Sequence, residues 1–131
     1  MALLIDTDVL VDLERAGRSE AVDALLGEEE RAISVITVSE LLHGVHRASG
    51  AIRARRQAFV EHLLSCLQAI PITEPVARVH SHIWSELAAR GEPIGAHDLW
   101  IAATALAHDL GVVTRNAAHF DRVAGLRVVA A

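Results

Sequence analysis

The sequence contains no lysine and no tyrosine, only one cysteine, and few aromatic residues. Each shortage removes a class of answer. Without lysine, lysine-based chemistry is ruled out, and every one of the 12 basic residues is arginine. Cys66 alone cannot close an intramolecular disulfide, so the fold must stand on its apolar core, and a reducing, cytoplasmic setting suits it. The lone thiol reads as a small buried hydrophobe rather than a nucleophile. Phe59, Trp84, Trp100 and Phe120 are the whole aromatic set, too few for a platform that stacks single-stranded bases. Asp6, Asp8 and Asp12 interrupt the region where a signal peptide would be apolar. No apolar run approaches the roughly 20 residues that span a bilayer, so a soluble protein with no membrane contact is expected.

Apolar residues, by contrast, are abundant: 52% of the chain, with a mean hydropathy of +0.33. With 131 residues the expectation is one domain, residues 1–131. A domain of this size cannot hide so much apolar surface alone, which points to an apolar interface and most simply to a homodimer. The formal charge of −5 argues against a general nucleic-acid coat protein.

Short apolar runs alternate with helical periodicity. Residues 2–5 read as a buried strand, 9–15 and 20–26 as short helices separated by Gly17-Arg18-Ser19, and 32–35 as a second strand. A helix is expected from Thr37 to about Arg47, another over 52–67, a strand at 69–72 and a helix from Thr73 to Arg90 with Pro75 in its first turn. The segment "GAHDLWIAATALAHDLG" predicts a helix from Ala96 to Asp109 ended by Gly111, followed by strands at 112–114 and 127–129. The fold class is α/β: a three-layer sandwich with a central parallel sheet of four to five short strands flanked by helices.

In such sheets, ligands bind beyond the carboxyl ends of the strands. Asp6 ends the first strand, Thr37 and Glu40 follow the second, Asp98 opens a helix, and Thr114, Arg115 and Asn116 end the fourth strand. Each has an ordinary structural alternative. Asp6 can cap a helix, Thr37-Val38-Ser39-Glu40 reads as a capping box, and Asp98 can answer a helix dipole. Capping does not explain why three carboxylates fall on one edge of the sheet. Clustered carboxylates repel one another, and Mg²⁺ or Mn²⁺ relieves that repulsion while keeping waters able to act as nucleophiles. Phosphodiester hydrolysis follows as the natural chemistry.

"LLIDTDVL" also matches the opening of aspartyl phosphotransferases, but that chemistry needs a late acidic pair, which is missing, and the chain is short for it. Glu40 and His43 stand at i, i+3 as in di-iron bundles, yet no second such pair occurs. Most of the eight histidines read as surface or helix-end residues.

Taken in order, "LLIDTDVLVDL", "ITVSELLHG", "IGAHDLWIAATAL" and "LGVVTRNAAHFDRVAGL" resemble the four motifs of PIN domains, specifically the VapC toxins of type II toxin–antitoxin pairs. The resemblance covers nearly the whole chain. It implies an Mg²⁺-dependent endoribonuclease that cleaves tRNA or rRNA and blocks translation, a homodimer, and inhibition by a VapB-type antitoxin lying in a groove near the site. The family's acidic positions map onto Asp6, Glu40 and Asp98 as metal ligands and catalytic residues. The fourth falls on Asn116, an amide, and His119 stands where many relatives carry a carboxylate. The alternative is a catalytically weak or silent PIN-like module that binds RNA or a protein partner, and Asn116 is the feature that favours it. Arg47, Arg53, Arg55 and Arg56 form the densest positive cluster, suited to phosphates, to an acidic partner or simply to a solvated helix face.

Overall fold

The computed structural model describes residues 2–17, 19–27 and 30–131. Arg18, in the expected break between the first two helices, lies outside them. The chain runs β1 (Leu3–Ile5), α1 (Thr7–Arg15), α2 (Ser19–Gly27), β2 (Arg31–Ser34), α3 (Val35–Arg47) and α4 (Gly50–Cys66). It continues β3 (Gln68–Ile70), α5 (Glu74–Arg90), α6 (Ala96–Ala107), β4 (Gly111–Thr114), α7 (Ala117–Phe120) and β5 (Val128–Ala130). The five strands form one parallel sheet in the order β3-β2-β1-β4-β5.

Alternation along the strands divides the core into two layers. Leu4, Ala32 and Val112 face one way and pack with Val76, Ile83, Leu99, Ala102 and Phe120 from α5, α6 and α7. Ile5 and Ile33 face the other way and pack with Leu10, Leu41, Val45, Val60 and Leu63 from α1, α3 and α4. Both faces are covered, which is why the strands read as continuous apolar runs. After β3 the chain returns to add β4 on the opposite side of β1, so the strand order reverses between β1 and β4. Loops diverge above such a switch point and leave a crevice.

Two boundaries differ from expectation for local reasons. The helix expected to begin at a Thr37 capping box begins two residues earlier. Ser34 is the N-cap, its hydroxyl accepting from the Ile36 N–H at 3.0 Å, and Thr37 is fully buried inside α3. Val35 and Ile36, β-branched and easily read as strand, form the first helical turn. Gly111 does not end α6 either. The left-handed residue there is Asp109 (φ 54°), and Gly111 opens β4. Its role is packing, since a Cβ at Gly111 would stand 2.8 Å from Leu3 Cδ2 and 3.4 Å from the Arg127 carbonyl oxygen.

Cys66 is also exposed, contrary to the expected buried position, because Leu63 and Leu67 take the inward positions around it. His80 departs from the surface pattern of histidines. It is buried on α5 and stacks on Trp100 with ring centroids 3.5 Å apart.

Candidate active site

The β1–β4 crevice gathers side chains from four segments. Asp6 leaves β1 as the N-cap of α1, its Oδ1 accepting from the Thr7 N–H at 2.8 Å. Its Oδ2 accepts from the Thr114 hydroxyl at 2.7 Å, at the end of β4. The capping role is real, but it engages one oxygen only, and the second is held by a residue 108 positions away. Asp6 is 4% exposed, which is little for a carboxylate.

Glu40 is not a capping-box residue. Its Oε1 accepts from the Thr7 hydroxyl at 2.7 Å, and Thr7 Oγ1 also lies 2.9 Å from Thr37 Oγ1. Its Oε2 lies 3.3 Å from His97 Nδ1, one residue before Asp98 in the first turn of α6. A network of two threonines therefore aims Glu40 from α3 toward the N-terminus of α6. Thr114 serves twice, donating to Asp6 and accepting from the Asn116 N–H at 2.9 Å.

The carboxylates strain one another. Burial, chiefly, with the charges of Asp8 and Asp98, pushes the Asp6 carboxyl up to about 7 despite the opposing bonds from Thr114 and Thr7. Burial also raises Asp98, with the charges of Glu40 and Asp8 adding to it, while His119 and His97 pull the other way. Asp6, Asp8, Glu40 and Asp98 thus share one electrostatic field. Asn116 borders it differently: its side-chain amide meets His119 Nδ1 at 2.7 Å.

From the sequence alone, Asp8 and Thr7 have no role, His97 stands beside Asp98 as a substrate contact, and His119 is marked only as standing where many relatives carry a carboxylate. Asp8 accepts from the Arg115 N–H at 3.4 Å and faces the cluster, and the Asp-x-Asp spacing was its visible signal. Thr7 carried no signal, since its role depends on α3 crossing α1. Of the arginine cluster, Arg47 and Arg56 line a groove beside Glu40, while Arg55 is largely solvent-exposed.

The donor set suits a hard divalent cation: carboxylate and hydroxyl oxygens, with proton affinities already raised by burial and mutual charge. Among the described residues, no three His, Cys, Asp or Glu side chains form a ready-made cage.

The PIN domain family model matches residues 3–126. The chain belongs to that family. Among PIN domains it is similar to ribonuclease VapC1 of Rickettsia felis, at 34% identity over 130 residues covering 98% of this chain and 96% of that one. It is also 34% identical over 103 residues to the tRNA(fMet)-specific endonuclease VapC of Salmonella typhimurium, covering 79% and 76% of the two chains. The crystal structure of DNA-bound VapBC from Salmonella typhimurium superposes with a TM-score of 0.87 at 28% identity, covering 99% and 98%. The α/β architecture and the VapC resemblance read from the sequence motifs are both borne out.

Proposed function

We propose that this PIN domain is the toxin of a type II toxin–antitoxin pair: a metal-dependent endoribonuclease that cuts structured RNA, tRNA or rRNA, and stops translation. The observation that carries the reading is the mutually repelling set of buried Asp6 and half-buried Asp8, Glu40 and Asp98 at the switch point of the sheet. An ordinary core does not accumulate such a cost; a site that binds a cation does. The names and complexes of its VapC relatives support the same reading.

Asp6, Glu40 and Asp98 would hold Mg²⁺, or Mn²⁺ in its place. The ion would supply charge neutralisation at the scissile phosphate and a water of lowered pKa. Thr114 fixes Asp6 Oδ2, and Thr7 fixes Glu40 Oε1, so both carboxylates would meet the cation without rotamer search. Glu40 Oε2, 3.3 Å from His97 Nδ1, would orient the attacking water. Asn116 adds an amide without charge, paired with His119. A VapB-type antitoxin is the expected partner, and a homodimer the expected assembly.

A second reading, a PIN domain that binds RNA or protein without cutting, draws on one observation. Asn116 offers its amide to His119 where family members place an acid. The two separate on incubation of antitoxin-free protein with total RNA in Mg²⁺, in Mn²⁺ and in EDTA. Discrete fragments that require metal support the nuclease. Intact RNA in all three, with RNA retained on the protein, supports the binding module.

A further inference from the structure

A groove of about 530 Å³ opens beside Glu40, between α1, α3 and α4. Thr7, Glu40 and His97 line it where it meets the carboxylates, and Arg15, Arg47 and Arg56 line it elsewhere. Helix geometry separates the two signs. Glu40, His43, Gly44 and Arg47 follow i, i+3, i+4, i+7 and form one stripe of α3 along the groove. At 1.5 Å per residue, Arg47 stands roughly 10 Å along the axis from Glu40. Arg15 is about 12 Å from Thr7 by the same measure on α1. In a chain of net charge −5, the groove is acidic at one end and basic at the other.

Arg15 and Arg47 sit in the last turns of their helices, where an arginine also answers the helix dipole. Arg56 has no such explanation, because it lies inside α4. It is half-buried, its Nη1 donates to the Gly44 carbonyl at 3.2 Å, and its Nε lies 3.9 Å from Glu14 Oε1. That Glu14 oxygen is buried without a hydrogen bond and lies equally far from Arg55 Nε. One carboxylate is thus shared by two guanidiniums at the outer limit of ion pairing, which leaves the trio formally positive. Arg56 has five N–H donors, and these contacts occupy only part of them.

Resting on the nuclease reading above, we propose that this groove holds the RNA strand leading away from the scissile phosphate. Arg56 and Arg47 bind its backbone phosphates, and Arg15 stands on the facing wall. In a stacked strand rising 3.4 Å per nucleotide, 10 Å places Arg47 about three nucleotides from the cut. The grip is on backbone, not bases, so it sets how the strand enters rather than which sequence is cut. Arg53 and Arg55 do not line the groove and are left out of the assignment.

The test measures binding of unfractionated tRNA to the antitoxin-free Asp98→Asn chain in EDTA, as a function of salt. Binding without cleavage keeps this result independent of the nuclease reading. The expected result is that Arg47→Ala and Arg56→Ala, each added to that background, lower the slope of log K against log salt by about 0.7–0.9. Arg78→Ala, on α5 and paired with Glu74, leaves the slope unchanged. Arg56→Lys, which retains the charge, recovers most of the slope and answers any loss of folding in Arg56→Ala. Slopes that stay at the parental value in folded Arg47→Ala and Arg56→Ala proteins overturn the proposal and leave the groove to a protein partner.

Discussion

Replacing Asp6 with Asn should stabilise the metal-free protein at alkaline pH while abolishing its chemistry. The Asp6 carboxyl moves from 3.8 to about 7 on folding, mainly through burial, with Asp8 and Asp98 adding their charge. A raised acid pKa means that the folded state holds the proton more tightly than the unfolded state. Stability contributed by that proton is therefore full below 3.8 and is lost as pH rises through about 7. At 1.36 kcal/mol per unit, the ionised carboxylate costs about 4 kcal/mol in all, and about 2.5 kcal/mol of it falls between pH 5 and pH 8. Asn cannot ionise and keeps the shape, though it weakens the bonds from Thr7 and Thr114 by about 1–2 kcal/mol. Urea unfolding in EDTA should show Asp6→Asn about as stable as the parent at pH 5 and more stable than it at pH 8. The difference between the two proteins should change by about 2–3 kcal/mol across that span. A difference that does not vary with pH would refute the account of a strained carboxylate cluster.

Thr114→Val should lower RNA cleavage at least tenfold, because Asp6 Oδ2 and the Asn116 N–H each lose their partner; initial rates on total RNA check it, and an unchanged rate contradicts it. Burial holds His80 below its usual range, so the folded state resists its protonation and stability falls as pH drops below the unfolded value of 6.5. His80→Phe, which keeps a ring against Trp100, should flatten that fall in urea midpoints measured between pH 7.5 and 5.5. Gly111→Ala should destabilise the protein by about 1–3 kcal/mol, since the new methyl meets Leu3 Cδ2 and the Arg127 carbonyl across the β1–β4–β5 pairing; thermal melts report it.

The parallel sheet was readable from the sequence because two-sided burial writes itself as runs such as Leu3-Leu4-Ile5 and Val112-Val113, and the carboxylates were readable because each ends or follows such a run. The α3 start was not, since Val35 and Ile36 carry strand propensity and only the Ser34 cap reverses it. Capping explained Asp6 in part and Glu40 not at all, a distinction that depends on Thr7 meeting Glu40 across 33 residues. The groove was hidden for the same reason. Arg56 and Glu14 are brought together only by α4 packing near α1, so a linear cluster of four arginines contained two that line the groove and two that do not.

The central claim is that the Asp6–Glu40–Asp98 set cuts RNA with a bound cation. Its most direct test is the rate of total-RNA cleavage by the antitoxin-free chain and by Asp98→Asn, each in Mg²⁺ and in EDTA, with matching circular dichroism. The account predicts discrete fragments from the parent in Mg²⁺ alone, and a folded Asp98→Asn at least a hundredfold slower. Cleavage that persists in EDTA or survives in Asp98→Asn would contradict it.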